Sequence, residues 1–130
     1  MMDLAKKSFG RCLNHGDLIG RFYELLLAAD PVIPQKFANT DMHKQKELLV
    51  HGINLALMFA EGNAIGKNGL SRLQESHNRH NLDIKPEFYH FWIESFIQAV
   101  SEIDPEYNDD IKTEWLAVAT KTTEFLSEGY

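Results

Sequence analysis

Between its proline and glycine breaks the chain repeats apolar side chains at intervals of three and four, and that spacing leaves little room for anything but helices. Leu18, Ile19, Phe22, Leu25 and Leu26 mark one such block, and Ile111, Trp115, Val118, Thr122 and Phe125 mark another. Stretches in which β-branched residues alternate with polar ones, the mark of strands, are few. The chain reads as all-α. No internal repeat, low-complexity tract or linker divides it, and 130 residues suffice for one domain, 1–130, with a real core and room for one small ligand.

The helices can be bounded from local chemistry. Leu4 to Leu13 is a short amphipathic helix stopped by Asn14-His15-Gly16, where glycine accepts the left-handed conformation that ends helices. Asp17 caps a second helix, Leu18 to Ala29, which Asp30-Pro31 ends because the residue before proline is pushed out of α geometry. A tight segment through Pro34 reaches Phe37, and Thr40 or Asp41 caps a helix from Met42 to Glu61. Its stripe reads Gln45, Leu49, Gly52, Ile53, Ala56, Ala60, and Gly52 is expected where something approaches closely. Gly62 to Gly69 reads as a loop, with Asn68 capping a short helix, Leu70 to His77. After a polar bend, Pro86 suits the first turn of a helix. Glu87 to Ile103 then carries Phe88, Tyr89, Trp92, Ile93, Phe96, Ile97 and Val100 on an apolar stripe that Asp104-Pro105 breaks. Asn108-Asp109-Asp110 caps the last helix, which should pack antiparallel to its predecessor.

Several function classes fall away on charge and cysteine usage. A formal charge of −6 argues against nucleic acid or an anionic membrane as partner, since both need clustered cations. The one cysteine, Cys12, excludes an internal disulfide framework and a cysteine-based metal cluster, and reads as a small buried side chain. The start of the chain lacks the apolar run of a signal peptide, and the longest apolar stretch, Ile53 to Ala60, is too short to span a bilayer. A soluble, cytoplasmic protein is expected. The glycine-rich segment has no preceding strand and no Gly-Lys-Ser/Thr ending, so it is not a phosphate loop. Six histidines, at 15, 43, 51, 77, 80 and 90, form no His-Glu-x-x-His pair, and no nucleophile elbow is present. No catalytic residue of the chain's own emerges; chemistry here must be carried by a cofactor.

The stretch Arg72 to Trp92 bears most on that question. Leu70, Leu73 and His77 share one helix face at spacings of three and four, so His77 points inward with the leucines. Ser76 can accept from whichever imidazole nitrogen is not otherwise engaged. A histidine so placed is either simply packed or the sole protein ligand of a buried iron cofactor, and these residues alone leave both open. Tyr23 alone is equally a core or boundary tyrosine, and Gln45 a solvated first-turn residue.

Taken together, Phe22-Tyr23, Pro31, Phe37, Gln45, Leu49, Leu73, Ser76-His77, Pro86-Glu87 and Tyr89, in this order and at about these distances, resemble the globin family. More narrowly they resemble bacterial single-domain globins and the haem domain of flavohaemoglobins, over nearly the whole span from Leu18 to Phe125. The resemblance implies a three-on-three helical sandwich around haem b, iron protoporphyrin IX. His77 would be the iron ligand, with Leu70 and Leu73 packed below the porphyrin. Phe37 would stack on it, Leu49 would close the distal pocket, and Tyr89 and Trp92 would line the cofactor. Tyr23 and Gln45 would match the distal pair that donates hydrogen bonds to bound dioxygen. Lys44, Arg79 and His80 are candidates to meet the propionates.

The resemblance further implies reversible binding of dioxygen or other diatomic gases at a five-coordinate iron. That suits oxygen binding and scavenging, or oxidation of nitric oxide to nitrate, by a monomer or homodimer. With no flavin or nicotinamide domain before Tyr130, a dioxygenase cycle is expected to need an external reductase. The alternative is a globin-fold sensor or regulatory module acting by protein contact without haem, against which Tyr23, Phe37, Gln45 and His77 argue jointly. Two departures from the pattern stand out. Glu124 and Glu128 are out of register for the glutamate that in flavohaemoglobins pairs with the proximal histidine and a tyrosine matching Tyr89. Pro86 lies nine positions beyond His77, a longer bend than usual, which admits His80 as an alternative ligand. His77 is preferred because Leu70, Leu73 and Ser76 take their expected places around it.

Overall fold

Side-chain caps start the helices largely where the sequence puts them. In the computed structural model, which describes residues 3–130, Asp17 accepts from the Gly20 amide, Asp41 from His43 and Lys44, and Asn108 from Ile111. Each cap satisfies amides that have no partner inside their own helix. The helices are α1 (Asp3–His15), α2 (Leu18–Ala29), α3 (Val32–Lys36), α4 (Met42–Ala60), α5 (Ala64–His77), α6 (Tyr89–Ile103) and α7 (Asp109–Glu128). A 3₁₀ turn, Pro86–Phe88, leads into α6, so that helix begins two residues later than Glu87.

One stretch departs from its expected form. Gly62 to Gly69 is not a loop: Asn63, rather than Asn68, caps α5 by accepting from the Ile65 amide at 2.8 Å. Gly66 and Gly69 lie inside the helix because α5 rests directly on α4. A Cβ at Gly66 would sit 2.5 Å from the Phe59 nitrogen and 2.9 Å from the Leu55 carbonyl oxygen, and one at Gly69 would meet the Leu55 side chain at 2.6 Å. Gly52, expected at a close approach, has nothing within 4 Å of where a Cβ would be. The close approach exists, one helix further on. Gly66→Ala is therefore expected to destabilise the fold by about 1–3 kcal/mol through overpacking against backbone, whatever it gains in helix propensity. Gly52→Ala should be neutral or stabilise by up to about 1 kcal/mol. Parallel urea unfolding of the two variants checks both signs.

The helices form two layers of three, α1, α4 and α5 against α2, α6 and α7, with α3 linking α2 to α4. This is the three-on-three sandwich. Its centre is aromatic: Phe22, Phe96 and Trp115 are almost wholly buried, Phe96 stacks on Trp92 at 5.2 Å, and Trp115 meets Phe96 edge-on at 4.8 Å. Edge-on and offset contacts suit the ring quadrupoles, so the rings lock one another in orientation as well as excluding water.

Two polar contacts tie α1 into this core. The Trp115 Nε1–H donates to the buried Ser8 hydroxyl at 3.0 Å. The Arg11 guanidinium donates twice to Asp104, Nε at 2.7 Å and Nη2 at 2.9 Å, and the Asp104 side chain is wholly buried. Cys12 is buried beside them, and burial, with Asp104 nearby, pushes its thiol up to about 11. Among the described residues no helix is long and apolar enough to cross a membrane.

Candidate functional site

Tyr23 lies in the middle of α2 and is 4% exposed, so its ring belongs to the core while its hydroxyl must find a partner. Phe22 meets its ring edge-on at 5.0 Å and Phe37 at 5.8 Å, which fixes the ring between them. Phe37 reaches that position as the residue that ends α3, its amide donating back to the Pro34 carbonyl. The partner for the hydroxyl comes from α4: the Gln45 Nε2 donates to the Tyr23 oxygen at 3.2 Å. Gln45 is held in the first turn of α4, where its own amide donates to the Asp41 carbonyl at 2.9 Å and the Asp41 carboxylate caps the two amides before it. Burial raises the Tyr23 phenol above its ordinary pKa, and the bond from Gln45 only partly offsets this. The tyrosine keeps its proton at neutral pH. Because Gln45 donates to its oxygen, its own O–H remains free to donate elsewhere.

His77 is the last residue of α5. Its Nδ1 lies 2.8 Å from the Leu73 carbonyl oxygen, one helical turn back, and 3.2 Å from the Ser76 hydroxyl. The carbonyl can only accept, so Nδ1 carries the proton and donates to it. Ser76, expected as the partner, is within reach of Nδ1–H as a second acceptor and at the same time donates its own hydroxyl to the same carbonyl at 2.9 Å. Burial lowers the His77 pKa, against a smaller upward pull from the Leu73 carbonyl, so the ring is neutral at pH 7. A neutral ring protonated at Nδ1 presents a lone pair at Nε2, the form in which imidazole binds metals. The residues missed by sequence reasoning here include this carbonyl partner, although an i to i−4 bond from a terminal helical histidine follows from helix geometry. His80 is exposed, and its backbone amide donates to the Asn78 side chain.

The remaining candidates divide by burial. Phe37, Leu49, Leu73 and Trp92 are half-buried; Phe37, Leu49 and Trp92 pack their inner edges on the core. Leu70 is wholly buried, and Trp92 is engaged on both Phe22 and Phe96. Tyr89 is buried enough for its phenol to be pushed up to about 12. It lines a surface groove between α6 and α7 that Glu124 and Glu128 also line, yet no hydrogen bond joins it to either glutamate or to His77 among the described residues. Lys44 and Arg79 are exposed at the start of α4 and just past α5, Arg79 already being bonded to Tyr130.

These features fit a flat, largely apolar iron macrocycle. The His77 imidazole would supply the protein's donor, and among the described residues no group of three His, Cys, Asp or Glu gathers to hold a metal. The half-buried apolar edges of Phe37, Leu49 and Leu73 offer contact to a hydrophobic ring, and Tyr23 offers a proton that is not yet shared.

No protein-family model matches the chain, and neither does any curated protein. Among solved structures it is similar to protein PA3967 from Pseudomonas aeruginosa PAO1, described as structurally highly homologous to a human hemoglobin. The two share 36% sequence identity over 99% of this chain and 97% of that one, with a TM-score of 0.94.

Proposed function

This chain belongs to the globin family, and on that premise we propose that it binds haem b and, through the haem iron, dioxygen or another diatomic gas. The observation that carries the reading is a pair of complementary free valences. His77 offers an Nε2 lone pair on a neutral, oriented ring, and Tyr23 offers an O–H that Gln45 leaves unused. Haem, when bound, supplies the gas-binding atom and pushes electron density onto the gas. The protein's part is to hold the iron through His77, with Phe37, Leu49 and Leu73 against the macrocycle, and to meet the gas with a fixed donor.

Tyr23 is built for that second task. Its ring is clamped by Phe22 and Phe37, so the hydroxyl needs no reorganisation to donate. The Gln45 amide polarises the hydroxyl oxygen and strengthens it as a donor, in surroundings where a hydrogen bond is worth more than in water. Tight binding and slow release result. That profile favours scavenging, or oxidation of nitric oxide to nitrate with an external reductase, over rapid delivery. The narrower likeness to flavohaemoglobin haem domains, and with it the nitric oxide reading, rests on this same Tyr23–Gln45 contact.

The test is reconstitution of the purified chain with haemin: a Soret band is expected, and its absence overturns the proposal. In the reconstituted protein, Tyr23→Phe should speed oxygen release about 10- to 100-fold, the worth of a hydrogen bond to a partly charged acceptor. Stopped-flow displacement by carbon monoxide measures it. An unchanged rate means that the hydroxyl does not touch the gas.

A further inference from the structure

The last turns of α7 hold two carboxylates that cost the fold stability where they stand. Glu124 and Glu128 are four residues apart, so they share one helix face and repel each other. They also lie at the negative end of the helix dipole, in a helix whose last turn has no basic residue. Among the described residues neither has an ion-pair partner. Lys121, the nearest cation along α7, is committed elsewhere: its Nζ donates to the Phe59 carbonyl at 3.3 Å and lies 4.9 Å over the Phe59 ring. Residues 91–130 hold nine acidic side chains against two lysines, so the field of α6 and α7 draws cations.

Both glutamates line an open groove of about 570 Å³ between α6 and α7, a volume within the range of small-ligand sites. Pro86 and Ile93 give the groove an apolar stretch. Tyr89 is sunk between the two helices and 9% exposed, yet its hydroxyl has no hydrogen-bond partner among the described residues. Thr122 Oγ1 is the one unpartnered side-chain oxygen among them that is fully buried. The Tyr89 hydroxyl therefore keeps an opening, and the surface that Tyr89 lines is this groove.

The other polar groups of the groove have spent their protons. The Thr123 hydroxyl donates to the Thr120 carbonyl at 3.3 Å, and the Ser127 hydroxyl to the Thr123 carbonyl at 2.7 Å. The His90 Nδ1 lies 2.6 Å from the Glu87 carbonyl oxygen, so its proton is engaged there and the neutral ring keeps a lone pair at Nε2. What faces the groove is a set of acceptors, two of them charged, with a phenol oxygen that also accepts. Such a lining lacks only donors.

We propose that this groove binds a small organic cation, a primary ammonium carried on a short apolar body. Its three N–H donors on one positive centre match Glu124, Glu128 and the Tyr89 oxygen, while the carbon chain lies along Pro86 and Ile93. The cation also relieves the repulsion between the two glutamates. A bare metal ion fits less well, because among the described residues no three His, Cys, Asp or Glu gather to hold one. The site stands apart from haem binding, since it uses neither Tyr23, Gln45 nor His77.

The probe is n-hexylamine, titrated into the full chain and followed by amide proton–nitrogen shifts. Saturable shifts are expected at Tyr89, at Ile93 and from Thr123 to Glu128. Glu124→Gln combined with Glu128→Gln should weaken binding about tenfold, as for loss of two exposed charge pairs, and should not destabilise the chain, because the repulsion goes with them. Tyr89→Phe should weaken it about 3- to 10-fold. Hexyltrimethylammonium keeps the charge and the chain but has no N–H, and should bind at least about tenfold more weakly. Shifts that fail to saturate, or that persist unchanged in the double variant, overturn the site. Equal binding of hexyltrimethylammonium overturns the match to N–H donors and leaves only attraction by the field. A lysine side chain carries the same ammonium, so tighter binding of Nα-acetyl-lysine methylamide than of n-hexylamine overturns the free amine as occupant.

Discussion

His77→Ala is expected to weaken haem retention at least about 100-fold, more than the 10- to 100-fold usual for losing a partner that merely orients a metal ligand. Transfer of haem to an excess of a tighter-binding apoprotein measures this directly as an accelerated loss of the Soret band. Added free imidazole should restore part of the ferrous spectrum, because the space left by the ring admits it and the Leu73 carbonyl remains to orient it. Loss on His80→Ala with retention on His77→Ala would transfer the role to His80. The geometry speaks for His77: it is half-buried, neutral and already oriented, whereas His80 is exposed in the bend.

The largest loss of stability is expected far from the site, on Arg11→Met. Asp104 has a wholly buried side chain whose charge is met by two bonds from Arg11. Removing the guanidinium leaves a buried carboxylate without its cation, a change that costs about 3–5 kcal/mol. For a chain of this size that is a fall in Tm of roughly 10–20 °C. Asp104→Asn should cost less, because an amide oxygen can still accept from the Glu106 amide and the Arg11 side chain keeps 20% of its surface in water.

Acid titration separates this pair from the rest. Burial alone would raise the Asp104 carboxyl from its ordinary 3.8, but bonds from Arg11, Ser8 and the Glu106 amide outweigh burial and hold it at about 2. Its folded pKa lies below the unfolded one, so its contribution is complete above about pH 4 and is lost as pH falls through about 2. In Arg11→Met the chief opposing bonds are gone and the carboxyl titrates higher. The gap in stability between wild type and variant should therefore shrink as pH falls from 4 to 2, as followed by unfolding at a series of pH values. A constant gap would mean that Arg11 acts through packing alone.

How far these features could be read from the sequence depends on how local their causes are. Caps such as Asp17, Asp41 and Asn108 act within three residues, and the apolar stripes act within one helix, so both were legible. Gly66 and Gly69 were misread because each glycine carries a helix penalty of about 1 kcal/mol that local reasoning must count. What offsets it is the approach of α4, which no local pattern records. Gly52 was misread in the opposite sense, since a glycine on an apolar stripe suggests contact whether or not a neighbour arrives. Arg11 and Asp104 are 93 residues apart, and no periodicity would reveal the pair. The site falls between these cases. Tyr23 and Gln45 were brought together by resemblance to a family, not by spacing, and the fold does join them at 3.2 Å.

The glycine contact between α4 and α5 also has a mechanical meaning. It is a crossing point from which two rigid arms extend, one reaching back along α4 to Gln45 and the other forward along α5 to His77. At 1.5 Å per residue the arms are roughly 20 and 16 Å long. A rotation of only about three degrees at the crossing would carry an arm's end by roughly 1 Å, comparable to the tolerance of a hydrogen bond. The separation of Gln45 and His77 is thus gauged at a fulcrum that touches neither of them, and the smallest side chain is what keeps that fulcrum closed.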